Sequence, residues 1–149
     1  MMRITNESPW SRDQIDDHLD TFLAPLRLAA TDAQGFPRIC SLWFRRNGDH
    51  LLCATQADAW IARSLGRDAR CGFELAPNEP PYFGVRGAGR ATVTREGGAE
   101  ELGRLIDRYL GDRASPLARW LLSRTDDEVL ITIEIEQIST WDYRARMTR

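Results

Sequence analysis

The segment from 128 to 143, EVLITIEIEQISTWDY, alternates between apolar and polar side chains more strictly than the rest of the chain. Consecutive side chains of a β-strand point to opposite faces of the sheet, so this pattern predicts a strand with one buried and one exposed face. The chain must therefore supply a sheet with an apolar core on one side. The predicted inward positions are Val129, Ile131, Ile133 and Ile135, and the outward ones are Thr132, Glu134 and Glu136.

Five further segments carry strand-like patterns. LRLAAT, FPRICSLWFRR and HLLCAT, separated by the turn sequences DAQG and NGD, predict a three-stranded antiparallel meander. Its middle strand is apolar on both faces, which predicts that the core covers one face and a helix, a ligand or a partner covers the other. RCGFEL and GVRGAGRATVT follow. The second has Gly87 and Gly89 on one nearly flat face, so another group must approach its backbone closely.

Helical patterns occupy three regions. Ser11 and Gln14 predict a capping box for a helix over about 11–24, which Pro25 ends. A short helix is expected after Thr55, beginning near Asp58 with that residue as its natural cap. Two amphipathic helices are expected within about 97–123, where apolar residues recur at helical spacing.

These elements predict one α+β domain over residues 1–149, mainly β with helices. The expected architecture is a six-stranded antiparallel split β-barrel with short helices at its ends, because closure removes exposed strand edges. The barrel would span about 26–140, with the two-helix segment at about 97–123 as an insertion.

Composition excludes several kinds of chemistry. All 20 basic residues are arginine, so a lysine Schiff base, a lysine general base and a lysine phosphate clamp are impossible. They are mixed with 22 acidic residues, and the formal net charge of −2 does not favour nucleic acid as a partner. His18 and His50 are too few for a histidine-rich metal site or a Ser-His-Asp arrangement.

Cysteine usage and hydropathy predict the environment of the protein. Cys40, Cys53 and Cys71 lie inside apolar strand-like runs without a CxxC pair, which predicts buried free thiols. The N-terminal segment is polar, and no window approaches 18 consecutive apolar residues. We therefore expect a cytoplasmic protein that does not associate with membranes.

From about residue 26 to residue 94, the chain resembles the pyridoxamine-phosphate-oxidase-like family of flavin-binding split barrels. LAATDAQGFPRICSLWF is similar to the family's first hairpin, and HLLCAT is similar to its strand ending in threonine. ARSLGRDAR is similar to the family's helix and following turn, and VRGAGRATVT is similar to its valine- and glycine-containing strand. The order and spacing of the four motifs match together.

The resemblance implies a homodimer that binds FMN, or in some branches a deazaflavin, in two grooves at the subunit interface. It also implies that the flavin ring lies along the second strand and against the strand that ends in threonine. The residues that the resemblance assigns to the ring are Ile39, Cys40, Ser41, Leu42, Thr55 and Gln56.

The start of the short helix departs from the family pattern. Where flavin-binding relatives tend to carry Ser-Arg-Lys for the phosphate, this chain carries Ala59, Trp60 and Ile61. A buried phosphate needs a cationic partner, and helix amides offset only part of that need. The candidates for this charge are Arg63, one turn further along the helix, and Arg38, Arg45 and Arg46 from the second strand or a partner chain.

Two functions remain open at this point. The first is a flavin- or deazaflavin-dependent oxidoreductase that acts on a small organic substrate, in which the flavin performs the hydride chemistry. The second is a split-barrel binding protein without flavin, which holds haem or an apolar ligand in a groove lined by Trp60 and Ile61.

Overall fold

The computed structural model describes residues 2–148, which form one mixed sheet and five helices. The strands are β1 (Arg3–Ile4), β2 (Leu26–Thr31), β3 (Pro37–Leu42), β4 (Arg45–Asn47), β5 (His50–Gln56), β6 (Arg70–Leu75), β7 (Phe83–Thr94) and β8 (Glu128–Asp142). The helices are α1 (Arg12–Thr21), α2 (Trp60–Arg67), α3 (Gly98–Tyr109), α4 (Pro116–Leu122) and α5 (Arg144–Met147).

The sheet is antiparallel in the order β3-β2-β6-β7-β8-β5-β4, and β1 adds a short parallel pairing to β8. The predicted α+β class and split-barrel architecture are confirmed, with eight strands instead of six. The two additional strands, β1 and β4, are only two and three residues long. The alternation in β8 is confirmed, because Ile131, Ile133 and Ile135 are buried whereas Glu134 and Glu136 are exposed.

The predicted three-stranded meander is confirmed in its two antiparallel pairings, but its middle strand is wrong, because that strand is divided into β3 and β4. β2 and β3 pair, but β3 ends at Leu42, lies at an edge of the sheet and does not pair with β5. The chain leaves β3 because Phe44 is fully buried in the core and the Trp43 ring stacks on Tyr109, with ring centroids 5.0 Å apart. It then forms β4, which pairs with β5. A gap between β3 and β5 results.

The core lies on the inner face of the sheet under α1 and α2. The predicted capping box of α1 is present, since Ser11 and Gln14 each bond the other's backbone. A second cluster joins α3 and α4 through Leu102, Ile106 and Ala118, and Trp43 packs against it. The largest fully buried side chains of the main core include Ile15, Leu19, Leu26, Leu28, Phe44, Leu51, Leu75, Ile131, Ile133 and Ile135.

The prediction that another group approaches the backbone of β7 closely at its glycines is confirmed. A Cβ atom at Gly89 would lie 2.2 Å from the Glu134 carbonyl oxygen, and one at Gly87 would lie 2.5 Å from the Phe73 ring. Only glycine fits at these positions, because backbone and a buried ring occupy the space that a side chain would need.

Glu101 connects α3 to the sheet through a buried ion pair. Arg45 of β4 donates from Nε to Glu101 Oε2 at 2.7 Å and from Nη2 to Glu101 Oε1 at 2.9 Å. The Glu101 side chain is 2% exposed and the Arg45 side chain is 28% exposed. A two-point contact of this kind fixes the position of α3 beside β4 and β5.

We predict that Glu101→Gln lowers the free energy of unfolding by about 2–3 kcal/mol, because it leaves the Arg45 guanidinium without a charged partner in a partly buried site. Urea denaturation measures this change. The matched control on the same helix is Asp107→Asn, which removes an exposed pair with Arg113 and should leave the free energy nearly unchanged. Equal effects of the two substitutions would contradict the assignment.

His18 of α1 is buried among three aromatic side chains that lie outside this helix. Its ring lies 5.1 Å from Trp10, 5.0 Å from Phe22 and 5.8 Å from Phe83, measured between centroids. Nε2 is 3.0 Å from the carbonyl oxygen of Leu75. Burial lowers the pKa of His18 below 6.5, although the hydrogen bond to the carbonyl opposes that shift. The native state therefore favours the neutral ring, which donates from Nε2 to this carbonyl.

This environment predicts a pH dependence of stability. Between the lowered native pKa and 6.5 the unfolded state binds more protons, so the free energy of unfolding falls as pH falls through 6.5. Urea denaturation on both sides of that pH measures the slope. His18→Phe should reduce the slope, whereas the control His50→Gln, at an exposed position, should leave it unchanged. An unaltered slope in His18→Phe would refute the assignment.

Candidate functional site

The gap between β3 and β5 forms a groove of about 320 Å³, which we call the β3–β5 groove. The ends of both strands form one wall, and α3 and α4 form the other. The walls are mostly apolar, and two charged side chains line the groove: Arg124, between α4 and β8, and Glu128, the first residue of β8. Its lining residues are Ser41, Leu42, Trp43, Ala54, Thr55, Gln56, Leu102, Leu105, Leu117, Leu121, Arg124 and Glu128.

Four of the residues predicted from the sequence meet in this groove. Ser41 and Leu42 end β3, whereas Thr55 and Gln56 end β5. β3 and β5 are not paired, so each strand end reaches the groove from its own part of the sheet. The Gln56 side-chain amide is already engaged, because Nε2 donates to the Arg124 carbonyl oxygen at 3.0 Å and to the Glu128 carboxylate.

The remaining β3 residues face elsewhere. Ile39 is 71% exposed and lines a second groove of about 640 Å³ on the outer face of the sheet, together with Arg27 and Gly72. Cys40 faces inward and packs against the main core, where burial raises the pKa of its thiol. The prediction that both faces of this strand are covered therefore holds only for the inner face within a single chain.

The start of α2 differs from the expected geometry. Ala59, not Asp58, is the N-cap residue, and its side chain has no acceptor for the first-turn amides. The Arg38 guanidinium lies over the Trp60 ring, with Cζ 4.3 Å from the centroid. The structure thus brings a cation from β3 beside an uncapped helix start.

The side chain of Ile61 does not line a groove, which corrects the sequence-based expectation. It is 2% exposed and belongs to the main core, because it lies on the inward face of the amphipathic helix α2. Arg63 lies on the exposed face of α2, and within residues 2–148 it forms no salt bridge. Trp60 is half-buried between the core and Arg38.

Sequence reasoning missed Glu128 and Arg124. Glu128 is 7% exposed, and burial raises the pKa of its carboxyl although the Gln56 hydrogen bond opposes the shift. The Arg124 guanidinium stacks on Trp120, with Cζ 4.5 Å from the ring centroid. The strand register places Gln56 opposite Glu128, and this pairing between distant segments is not visible in either segment alone.

The groove can hold a flat apolar molecule and offers it a few polar contacts. Within residues 2–148, no group of three or more histidine, cysteine, aspartate or glutamate side chains could hold a metal ion. Across the same range, every helix is too short or too polar to cross a membrane. The mostly apolar walls and the few polar side chains suit the binding of a ligand.

No protein-family model and no curated protein matches the sequence. Solved structures do match the fold. "Conserved hypothetical protein Rv2991" from Mycobacterium tuberculosis is 22% identical, with a TM-score of 0.76 over 95% of this chain and 91% of that chain. An F420 reductase is 20% identical, with a TM-score of 0.66 over 88% and 98%. A "Putative Pyridoxamine 5'-phosphate oxidase" from Listeria innocua is 17% identical, with a TM-score of 0.65 over 86% and 95%.

Proteins of this fold are not limited to one cofactor. HutZ, a haem storage protein from Vibrio cholerae, is 20% identical to this chain, with a TM-score of 0.61 over 87% of this chain and 90% of that chain. Identities of this size show a common fold and leave the ligand open. The chain therefore has the split-barrel fold of the pyridoxamine 5'-phosphate oxidase-like proteins.

Proposed function

We propose that this protein is a flavin- or deazaflavin-dependent oxidoreductase that works as a homodimer on a small organic substrate. The observation that carries the proposal is the β3–β5 groove. It unites Ser41, Leu42, Thr55 and Gln56, which the family resemblance assigns to the cofactor ring, although they come from strands that do not pair.

The groove suits a flat ring system. Leucine side chains and Trp43 supply apolar surface, and β3 is an edge strand, so backbone groups on its unpaired side remain available to a ligand. Thr55 adds a hydroxyl group, whereas the Ser41 hydroxyl already accepts a hydrogen bond from Arg27 Nη1 at 2.6 Å. A bound flavin or deazaflavin supplies the hydride chemistry. The chain then has to bind and orient the ring and keep water away from it.

The cofactor phosphate has a candidate site at the start of α2. The first-turn amides have no side-chain cap, and such amides attract anions. Arg38, which stacks on Trp60 beside that turn, can supply the cation that the family pattern places on the helix itself. Asp58 is exposed and does not cap these amides, so its carboxylate does not occupy the position proposed for the phosphate.

The exposed apolar surface of β3 and its turn supports the proposed homodimer. Phe36 is 68% exposed and Ile39 is 71% exposed, although the sequence pattern predicts that both faces of this strand are covered. A second copy would cover the outer face and the free edge of β3, and it would place two grooves near one interface.

The second candidate function is binding of an apolar ligand without flavin, favoured by the apolar walls of the groove. Haem fits this groove less well. None of the lining residues found within 2–148 is a histidine, cysteine, methionine or tyrosine that could ligate the iron. An apolar organic compound is therefore the stronger alternative to a flavin.

We predict that the purified protein retains added FMN through desalting and quenches its fluorescence. Arg38→Ala should weaken FMN binding by about tenfold to a hundredfold, because a charge-assisted contact to the phosphate is lost. Fluorescence titration measures the affinity. Arg63→Ala tests the sequence-based candidate on the outer face of α2, and we expect a smaller effect from it.

The matched control is Arg95→Ala, which changes an exposed arginine after β7. It should leave FMN affinity unchanged. A protein that neither retains FMN nor quenches its fluorescence would refute the FMN proposal. An effect of Arg63→Ala larger than that of Arg38→Ala would move the phosphate site to the outer face of the helix.

A further inference from the structure

Glu128 places a carboxylate in the wall of a mostly apolar groove. It stands at the first position of β8 and is 7% exposed. Gln56 donates to its Oε2 atom, whereas Oε1 has no hydrogen-bond partner within residues 2–148, and no arginine there forms an ion pair with it. Because Oε1 is not sealed inside the protein and Glu128 lines the groove, a ligand in the groove can reach this acceptor.

The carboxylate is held in a fixed position. Gln56 Nε2 donates to both the Arg124 carbonyl oxygen and Glu128. These two bonds use both amide hydrogens, so Gln56 cannot turn away without losing one of them. The hydrogen bond from Gln56 to the Arg124 carbonyl oxygen is sufficient to connect β5 to the loop before β8. Burial of a carboxyl is costly, so a structural role alone does not account for Glu128.

The surroundings define the kind of ligand that fits. The aliphatic walls come from the leucines of α3 and α4, and Trp43 adds an aromatic surface. Arg124 lines the same groove and disfavours a cationic ligand. An acceptor in an apolar cavity selects strongly for a molecule with a hydrogen-bond donor, because a molecule without one leaves the acceptor unpaired.

We propose that Glu128 is a specificity-determining residue that accepts a hydrogen bond from a neutral aromatic substrate bearing an O–H or N–H group, such as a phenol or a lactam. Gln56 is the positioning residue for this contact. That this ligand is a substrate rests on the proposed oxidoreductase function, whereas the binding preference rests on the groove alone.

The test compares 2-naphthol with 2-methoxynaphthalene, which has the same ring system without the donor. Equilibrium dialysis measures binding of each probe to the whole 149-residue chain before FMN is added, because the cofactor ring is proposed to lie in the same groove. Wild type should bind 2-naphthol at least about tenfold more tightly than the methyl ether. Glu128→Leu should bind both probes alike, and Glu128→Gln, which keeps a neutral acceptor and the side-chain shape, should retain only a reduced preference.

Glu134→Gln, at an exposed position of the same strand, is the matched control and should keep the wild-type preference. The proposal is overturned if wild type binds neither probe, if it binds both equally, or if the preference persists unchanged in Glu128→Gln. The last result decides the question even if Glu128→Leu does not fold.

FMN retention, measured on the same preparations, separates this proposal from the proposed function. A naphthol preference that depends on Glu128 in a protein that does not retain FMN supports the role of Glu128 and refutes the FMN proposal. Retention of FMN with no naphthol preference overturns the role of Glu128 and leaves the flavin proposal intact.

Discussion

The structure depends on the pairing of β8 with its neighbours. This strand runs for 15 residues and pairs with β7 on one side and β5 on the other, while β1 joins its far end. Ile131, Ile133 and Ile135 are buried, so a slip of one residue would move them to solvent and bring glutamates into the core. The same register places Gln56 opposite Glu128. The register that buries the isoleucines of β8 thus also fixes the positions of Gln56 and Glu128 at one end of the groove.

The groove itself results from a break that local patterns did not predict. FPRICSLWFRR is continuously strand-like, and its apolar content predicts one long strand in a meander. In the structure this segment forms two strands, β3 and β4, because Phe44 is buried in the core and Trp43 stacks on Tyr109 of α3. Both contacts join residues far apart in sequence, so neither can be read from the segment alone. The α+β class, the α1 capping box and the alternation of β8 are local features, and all of them are confirmed.

The difference between local features and contacts between distant segments also explains which site residues could be predicted. The family resemblance predicted four site residues at the ends of two strands, and all four line the groove. They are Ser41, Leu42, Thr55 and Gln56. The position of Ile61 was within reach of sequence reasoning, because Ile61, Ala62 and Leu65 form the inward face of α2. The position of Glu128 could not be predicted from its own segment, since its burial comes from β5 and from the chain between α4 and β8. The stacking of Arg38 on Trp60 likewise joins β3 to α2 through tertiary structure.

The central claim is the proposal that the β3–β5 groove and the start of α2, which follows β5 along the chain, form the ligand site. Hydrogen–deuterium exchange of the protein with and without FMN tests this claim most directly. Slower exchange on addition of FMN is predicted in residues 39–43 and 54–62, with little change in α5. Unchanged exchange throughout, or protection confined to other segments, would contradict it.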